Sequence, residues 1–134
     1  MTTQTILFVD DDPAARAQTI AGFRRVLGST FVAMEGCNIL EADIRIFESL
    51  ADHSRLPTIA IIEYLIPDEQ GIYMRYPQLL NEIYPEIRIV LITHQPRRPA
   101  QALHHKGIPL LAVLDKPWSP QNFAVLERSL AFTL

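Results

Sequence analysis

Short, continuous apolar runs alternate with amphipathic stretches along this chain, the pattern of a parallel sheet whose strands are joined by helices. The first run, Ile6 to Val9, shows no polar alternation, as expected of a strand covered on both faces. Asp12 then precedes Pro13, an N-cap followed by proline at the first helical position. Ile20, Phe23 and Leu27 recur at helical spacing, and Gly28 can close that helix. A second strand is read over Phe31 to Met34. Leu40, Ile44 and Phe47, in steps of four and three, mark the face of the next helix. His53 to Pro57 reads as a loop, and a third strand runs from Thr58 to Ile62 straight into Glu63.

Ile66 to Gly71 is rich in turn residues. Tyr76, Leu79, Leu80 and Ile83 then fit one helical face, with Pro77 expected to kink that helix or mark its start. The fourth strand, Ile87 to Thr93, is strongly β-forming. Pro96 and Pro99 leave room only for a short helix from about Ala100 to Lys106, stopped by Gly107. Leu110 to Leu114 is the fifth strand. Ser119 and Pro120 open a last helix carrying Phe123, Leu126 and Leu130 on one face. Five strand–helix units result.

At 134 residues the chain fits one domain, expected to span 1–134. The net charge of -3 shows no basic excess for nucleic acid, and no apolar stretch is long enough for a membrane span. The N-terminus lacks the basic opening of a signal peptide, and one cysteine, Cys37, allows no internal disulfide. These features set the expectation of a cytoplasmic protein. Cys37 reads as buried packing.

In an open parallel sheet, ligands sit beyond the carboxyl ends of the strands. Strand one ends in Asp10-Asp11, strand three in Glu63, strand four in Thr93 and strand five in Asp115-Lys116-Pro117. Clustered carboxylates repel unless a cation lies between them, and Mg2+ takes one or two carboxylates, waters and a phosphate oxygen. A lysine and a threonine hydroxyl supply donors for phosphate oxygens. The edge thus has the parts of a phosphoryl-transfer site.

ILFVDDDP, IIEYLIPDEQG, VLIT and LDKPW resemble, in order and each at a strand end, the four signature blocks of response-regulator receiver domains of two-component signalling. The resemblance covers nearly the whole chain. It implies a flavodoxin-like five-stranded parallel sheet in order 2-1-3-4-5, with helices on both faces. It implies that Asp10 and Asp11 match the acidic metal pair and that Leu65 supplies a backbone metal ligand. Thr93 matches the switch hydroxyl, and Lys116 the phosphate-pairing lysine before Pro117. The family's phosphate acceptor is an aspartate four residues before a loop proline. Pro67 sets that position at 63, where this chain has Glu63. Two further departures are His94, a bulky residue placed to gate the pocket, and Val113 at the switch-aromatic position.

The implied function is a receiver that works without aspartyl phosphorylation, either constitutively active-like because Glu63 imitates the phosphorylated state or an inert pseudo-receiver recruited as a scaffold. It is expected to show at most weak Mg2+ binding, with its own phosphoryl chemistry lost. It would act through a histidine kinase, an output domain or another protein partner. The resemblance also implies a homodimer face over the fourth helix, fifth strand and fifth helix. The chain can equally be a receiver cut from a larger protein; it shows no helix-turn-helix of its own. A conventional Mg2+-dependent receiver using another acceptor residue remains an alternative. Another is a haloacid-dehalogenase-like phosphatase, on the D-x-D of Asp10 and Asp12. Against the phosphatase, Ala14 stands where that motif wants Thr or Val, and little chain is left for a cap.

Overall fold

The structure is a computed structural model that describes residues 4–28, 30–51, 56–63, 72–93, 107, 109–115 and 119–131. In chain order the elements are β1 (Thr5–Val9), α1 (Pro13–Leu27), β2 (Val32–Gly36), α2 (Ile39–Ala51), β3 (Ile59–Glu63), α3 (Ile72–Ile83), β4 (Arg88–Thr93), β5 (Ala112–Asp115) and a C-terminal helix (Pro120–Ala131). The five strands form one sheet in the order β2-β1-β3-β4-β5, and every pairing is parallel. The expected topology is therefore the observed one. The short helix expected over 100–106 lies outside the described residues, as does part of the dimer face expected to include it.

Alternation along each strand divides the core between the two faces of the sheet. Ile6, Phe8, Ile59, Ile61, Val90 and Ile92 pack toward Phe23 of α1 and Leu126 of the C-terminal helix. Leu7, Val9, Ala60, Ile62, Ile89 and Leu91 pack toward Ala42 and Ile46 of α2 and Tyr76 and Leu80 of α3. Both faces of the central strands are buried, which is why their sequences read as unbroken apolar runs. The first face is tightened by Phe8, edge-on to Phe23 at 5.5 Å between ring centroids. Leu126 is buried as expected; the side chains of Phe123 and Leu130 lie outside the described set.

Local signals set the helix ends. Asp12 caps α1, its Oδ1 accepting the Ala14 N–H at 3.0 Å, with Pro13 at the first position. Gly28 ends it at φ 80°, a conformation that favours glycine, while its N–H donates to the Arg24 carbonyl at 2.8 Å. β2 runs two residues beyond the expected Met34, to Gly36.

Two expectations about helical faces need correction. In α2 the buried residues are Ala42, Ile46 and Ser49, whereas Leu40, Ile44 and Phe47 are exposed. The helix has two apolar sides, and the one bearing smaller residues faces the sheet because the approach is close. A Cβ placed on Gly36 would meet the Ala42 backbone nitrogen at 3.0 Å. In α3 the expected face splits: Tyr76 and Leu80 are buried, Leu79 and Ile83 exposed. Pro77 neither starts nor ends α3, which runs from Ile72 through it to Ile83. It forgoes one helical hydrogen bond while its ring is buried.

Candidate functional site

The carboxyl ends of β1 and β3 are neighbours, since Val9 is in register with Ile62. The next residues on each strand are Asp10 and Glu63, and both continue the alternation that faces α1. Asp10 is 6% exposed and Glu63 8%, while Asp11 is exposed. One carboxylate oxygen from each of Asp10, Asp11 and Glu63 lies within 4.8 Å of the others. The three acids expected to meet at this edge do meet.

Backbone and side-chain contacts hold Asp10 in place. Its Oδ1 accepts the Asp12 N–H at 2.9 Å, and its own N–H donates to the Gly36 carbonyl at 3.1 Å. Arg16, one turn into α1, donates from Nη1 to the Asp10 carbonyl at 2.7 Å and from Nε to Glu35 Oε1 at 2.9 Å. The guanidinium therefore ties α1 to the ends of β1 and β2 and sets a positive charge beside the acids. Below the acids is a cavity of about 10 Å3, bounded by Asp10, Arg16, Thr19 and Glu63 over Phe8, Ile61 and Ile92. It has room for about one water molecule and none for an organic substrate.

When both are ionised, Asp10 and Glu63 within 4.8 Å of each other repel by about 3.5 kcal/mol or more at an effective dielectric of about 20. A hard divalent cation with oxygen ligands is the partner that suits such a set. The three carboxylates fit Mg2+ in ligand type and spacing.

Thr93 is almost wholly buried at the end of β4, in register with Asp115. Glu63 is in register with Ile92, one residue before Thr93, so hydroxyl and acid share the strand-end layer. Val113, in register with Leu91, is partly buried against the core on the α2–α3 side. Leu65, His94 and Lys116 lie outside the described residues, so Asp115, adjacent to Lys116 in sequence, is the last described point on that strand.

Two positioning residues escaped the sequence reading. Asn122, 2% exposed, clamps Asp115 from both sides: Nδ2 donates to the Asp115 carbonyl at 2.6 Å, and Oδ1 accepts the Asp115 N–H at 3.2 Å. A lone Asn in a helical stretch gives no signal of such a role. Arg16 was equally silent; only its spacing, six residues after Asp10, places it one turn into the helix beside the acids. Cys37 differs from the expectation of buried packing. It is partly exposed, and its Sγ–H donates to Glu41 Oε2 at 3.3 Å. That hydrogen bond, then desolvation and the Glu41 charge, raise the thiol pKa; the same bond lowers that of Glu41. On α3, burial and then Asp43 push the Tyr76 hydroxyl pKa well above its ordinary value.

The sheet order and the helices on both faces are those of the receiver-domain fold. Comparison with solved structures gives particular counterparts. The chemotaxis protein CheY4 of Vibrio cholerae matches with a TM-score of 0.67 at 16% identity, over 99% of this chain and 100% of that one. The bacteriophytochrome response regulator RtBRR matches with 0.75 at 16%, over 96% of this chain and 78% of that one. The signal receiver domain of an HD domain-containing protein from Pseudomonas fluorescens matches with 0.67 at 19%, over 98% and 97%. No protein-family model and no curated protein sequence matches the chain. Among the described residues, no helix is long and apolar enough to cross a membrane.

Proposed function

We propose that this chain is a signal-transduction receiver of the two-component type that works without phosphorylation of its acceptor position. The observation that carries the reading is the meeting of Asp10, Asp11 and Glu63 within 4.8 Å at the carboxyl edge of a receiver fold. In this reading Asp10 and Asp11 are the acidic pair and Glu63 occupies the acceptor slot. Leu65 offers a backbone carbonyl, and Thr93 and Lys116 complete the phosphate side.

The extra methylene of Glu63 carries its carboxylate outward by about 1.5 Å, one bond length. In-line phosphoryl transfer requires the attacking oxygen, the phosphorus and the leaving group to be aligned, and tolerates little such displacement. The longer side chain instead brings a negative charge toward the space a phosphoryl group would fill, and in this reading it imitates that group. Val113 in place of the switch aromatic removes the usual large partner for the threonine, and His94, next to Thr93 in sequence, is the residue this reading assigns as the gate. Output then depends on docking to a protein partner, a kinase, an attached effector or another signalling protein, rather than on a phosphorylation cycle.

If Mg2+ enters, the three carboxylates hold it and the metal relieves their mutual repulsion; Glu63 makes that affinity weak. The amide spectrum with Mg2+ tests the proposal. Adding an acyl phosphate is expected to leave the spectrum unchanged. Acyl-phosphate-dependent shifts spreading from β3 and β4 would overturn it.

A further inference from the structure

The sides of α2 and α3 turned away from the sheet carry large apolar groups. Leu40 is 70% exposed, Phe47 72% and Ile83 63%, with Ile44, Leu50 and Leu79 each near half. Isolated exposed leucines are ordinary, but a contiguous apolar patch calls for a partner.

Contiguity follows from the geometry. Leu40, Ile44 and Phe47 form one stripe along α2, extended by exposed Ala51. Tyr76 Oη donates to Asp43 Oδ1 at 3.0 Å, so these sides of α3 and α2 face each other. Both helices connect parallel strands across the same face of the sheet and so run the same way. Two turns on, Leu50 lies seven residues past Asp43 and Ile83 seven past Tyr76, returning to the same facing sides. Taking about 190 Å2 for each fully exposed large side chain, the six residues present roughly 650 Å2 of apolar surface. The largest patch on a typical monomer is about 300–600 Å2.

We propose that this face pairs with the same face of a second copy of the chain, about a twofold axis near Ile44 and Phe47. One observation favours a copy over another occupant: apolar burial from two such patches comes to roughly 1,300 Å2, within the range of stable interfaces before any rim is counted. The spacing of Leu40, Ile44, Phe47 and Ala51, four, three, four, is the helical repeat and is compatible with antiparallel pairing. Antiparallel twofold pairing sets Ile44 against the partner's Phe47 and Leu40 against the partner's Ala51, with large residues meeting at the centre. Arg45 and Glu48, already paired at 3.4 Å and exposed, lie beside the stripe where charges stay hydrated. An isologous contact of this kind closes at two copies.

The inference goes beyond the proposed function and does not depend on the acid cluster. Sedimentation of the full chain across the micromolar range tests it. The expected result is a concentration-dependent monomer–dimer equilibrium. The double variant Ile44→Asp, Phe47→Asp is expected to weaken it by more than about tenfold, with the far-ultraviolet circular dichroism of the wild type. In a Cys37→Ser background, mixed Ile44→Cys and Phe47→Cys chains should form a disulfide with each other faster than either forms with itself. A monomer at every concentration, or a dimer indifferent to the double substitution, overturns the proposal; in the first case the face belongs to a helix of another protein.

Discussion

At residue scale, the acids at the strand ends are close enough that charge dominates their behaviour. Asp11 contributes one of three carboxylate oxygens gathered within 4.8 Å. Asp11→Asn removes one negative charge from the cluster and one hard ligand from any cation. Mg2+ is expected to raise the thermal midpoint of the wild type and to leave Asp11→Asn nearly unchanged, as scanning calorimetry would read. Without Mg2+, the variant should melt no lower than the wild type. Equal Mg2+ shifts in both proteins would place the ion elsewhere.

Cys37 offers a second residue-scale check. Its thiol pKa is raised, first by the hydrogen bond to Glu41, so the thiolate is scarcer than in a free cysteine. Glu41→Gln removes the charge, and alkylation of Cys37 near neutral pH is expected to speed up. The linkage has opposite signs for the two partners. Glu41, with a lowered folded pKa, adds stability above its unfolded value that disappears as pH falls through the folded one. Cys37, with a raised folded pKa, adds stability below its unfolded value that disappears as pH rises through the folded one. Slower alkylation in Glu41→Gln would contradict this account.

At the scale of elements, the C-terminal helix and β5 are joined through one buried side chain. Asn122 satisfies both backbone groups of Asp115. Asn122→Ala leaves that N–H and carbonyl without their clamp, and chemical denaturation should register a loss of about 1–3 kcal/mol. A smaller loss would mean water replaces the amide. The strands were legible from sequence because both faces of Ile6–Val9, Ile59–Ile62 and Ile89–Ile92 are covered, which leaves an unbroken apolar signature. The helices were harder. In α2 the larger residues, Leu40, Ile44 and Phe47, gave the stronger periodic signal, yet Ala42 and Ser49 face the sheet because Gly36 lets the helix come close. Periodicity reports which residues share a side, and not which side is inside. Pro77 likewise suggested a boundary, but a buried proline ring within α3 is tolerated at the loss of a single hydrogen bond.

For the whole molecule, the parallel order β2-β1-β3-β4-β5 makes β1 and β3 neighbours and brings Asp10 beside Glu63 from 53 positions away in sequence. That convergence was legible because each acid follows an apolar run directly. The supports were not: Arg16 and Asn122 act through hydrogen bonds whose partners, Asp10 and Asp115, become neighbours only on folding. The central proposal is that the extra methylene at position 63 keeps this acid cluster out of phosphoryl chemistry. Intact-mass measurement after treatment with an acyl phosphate and Mg2+, on the wild type and Glu63→Asp side by side, tests it most directly. The account predicts a phosphoryl adduct on Glu63→Asp and none on the wild type. A stable adduct at Glu63, or a Glu63→Asp protein that takes up no phosphoryl group, would contradict it.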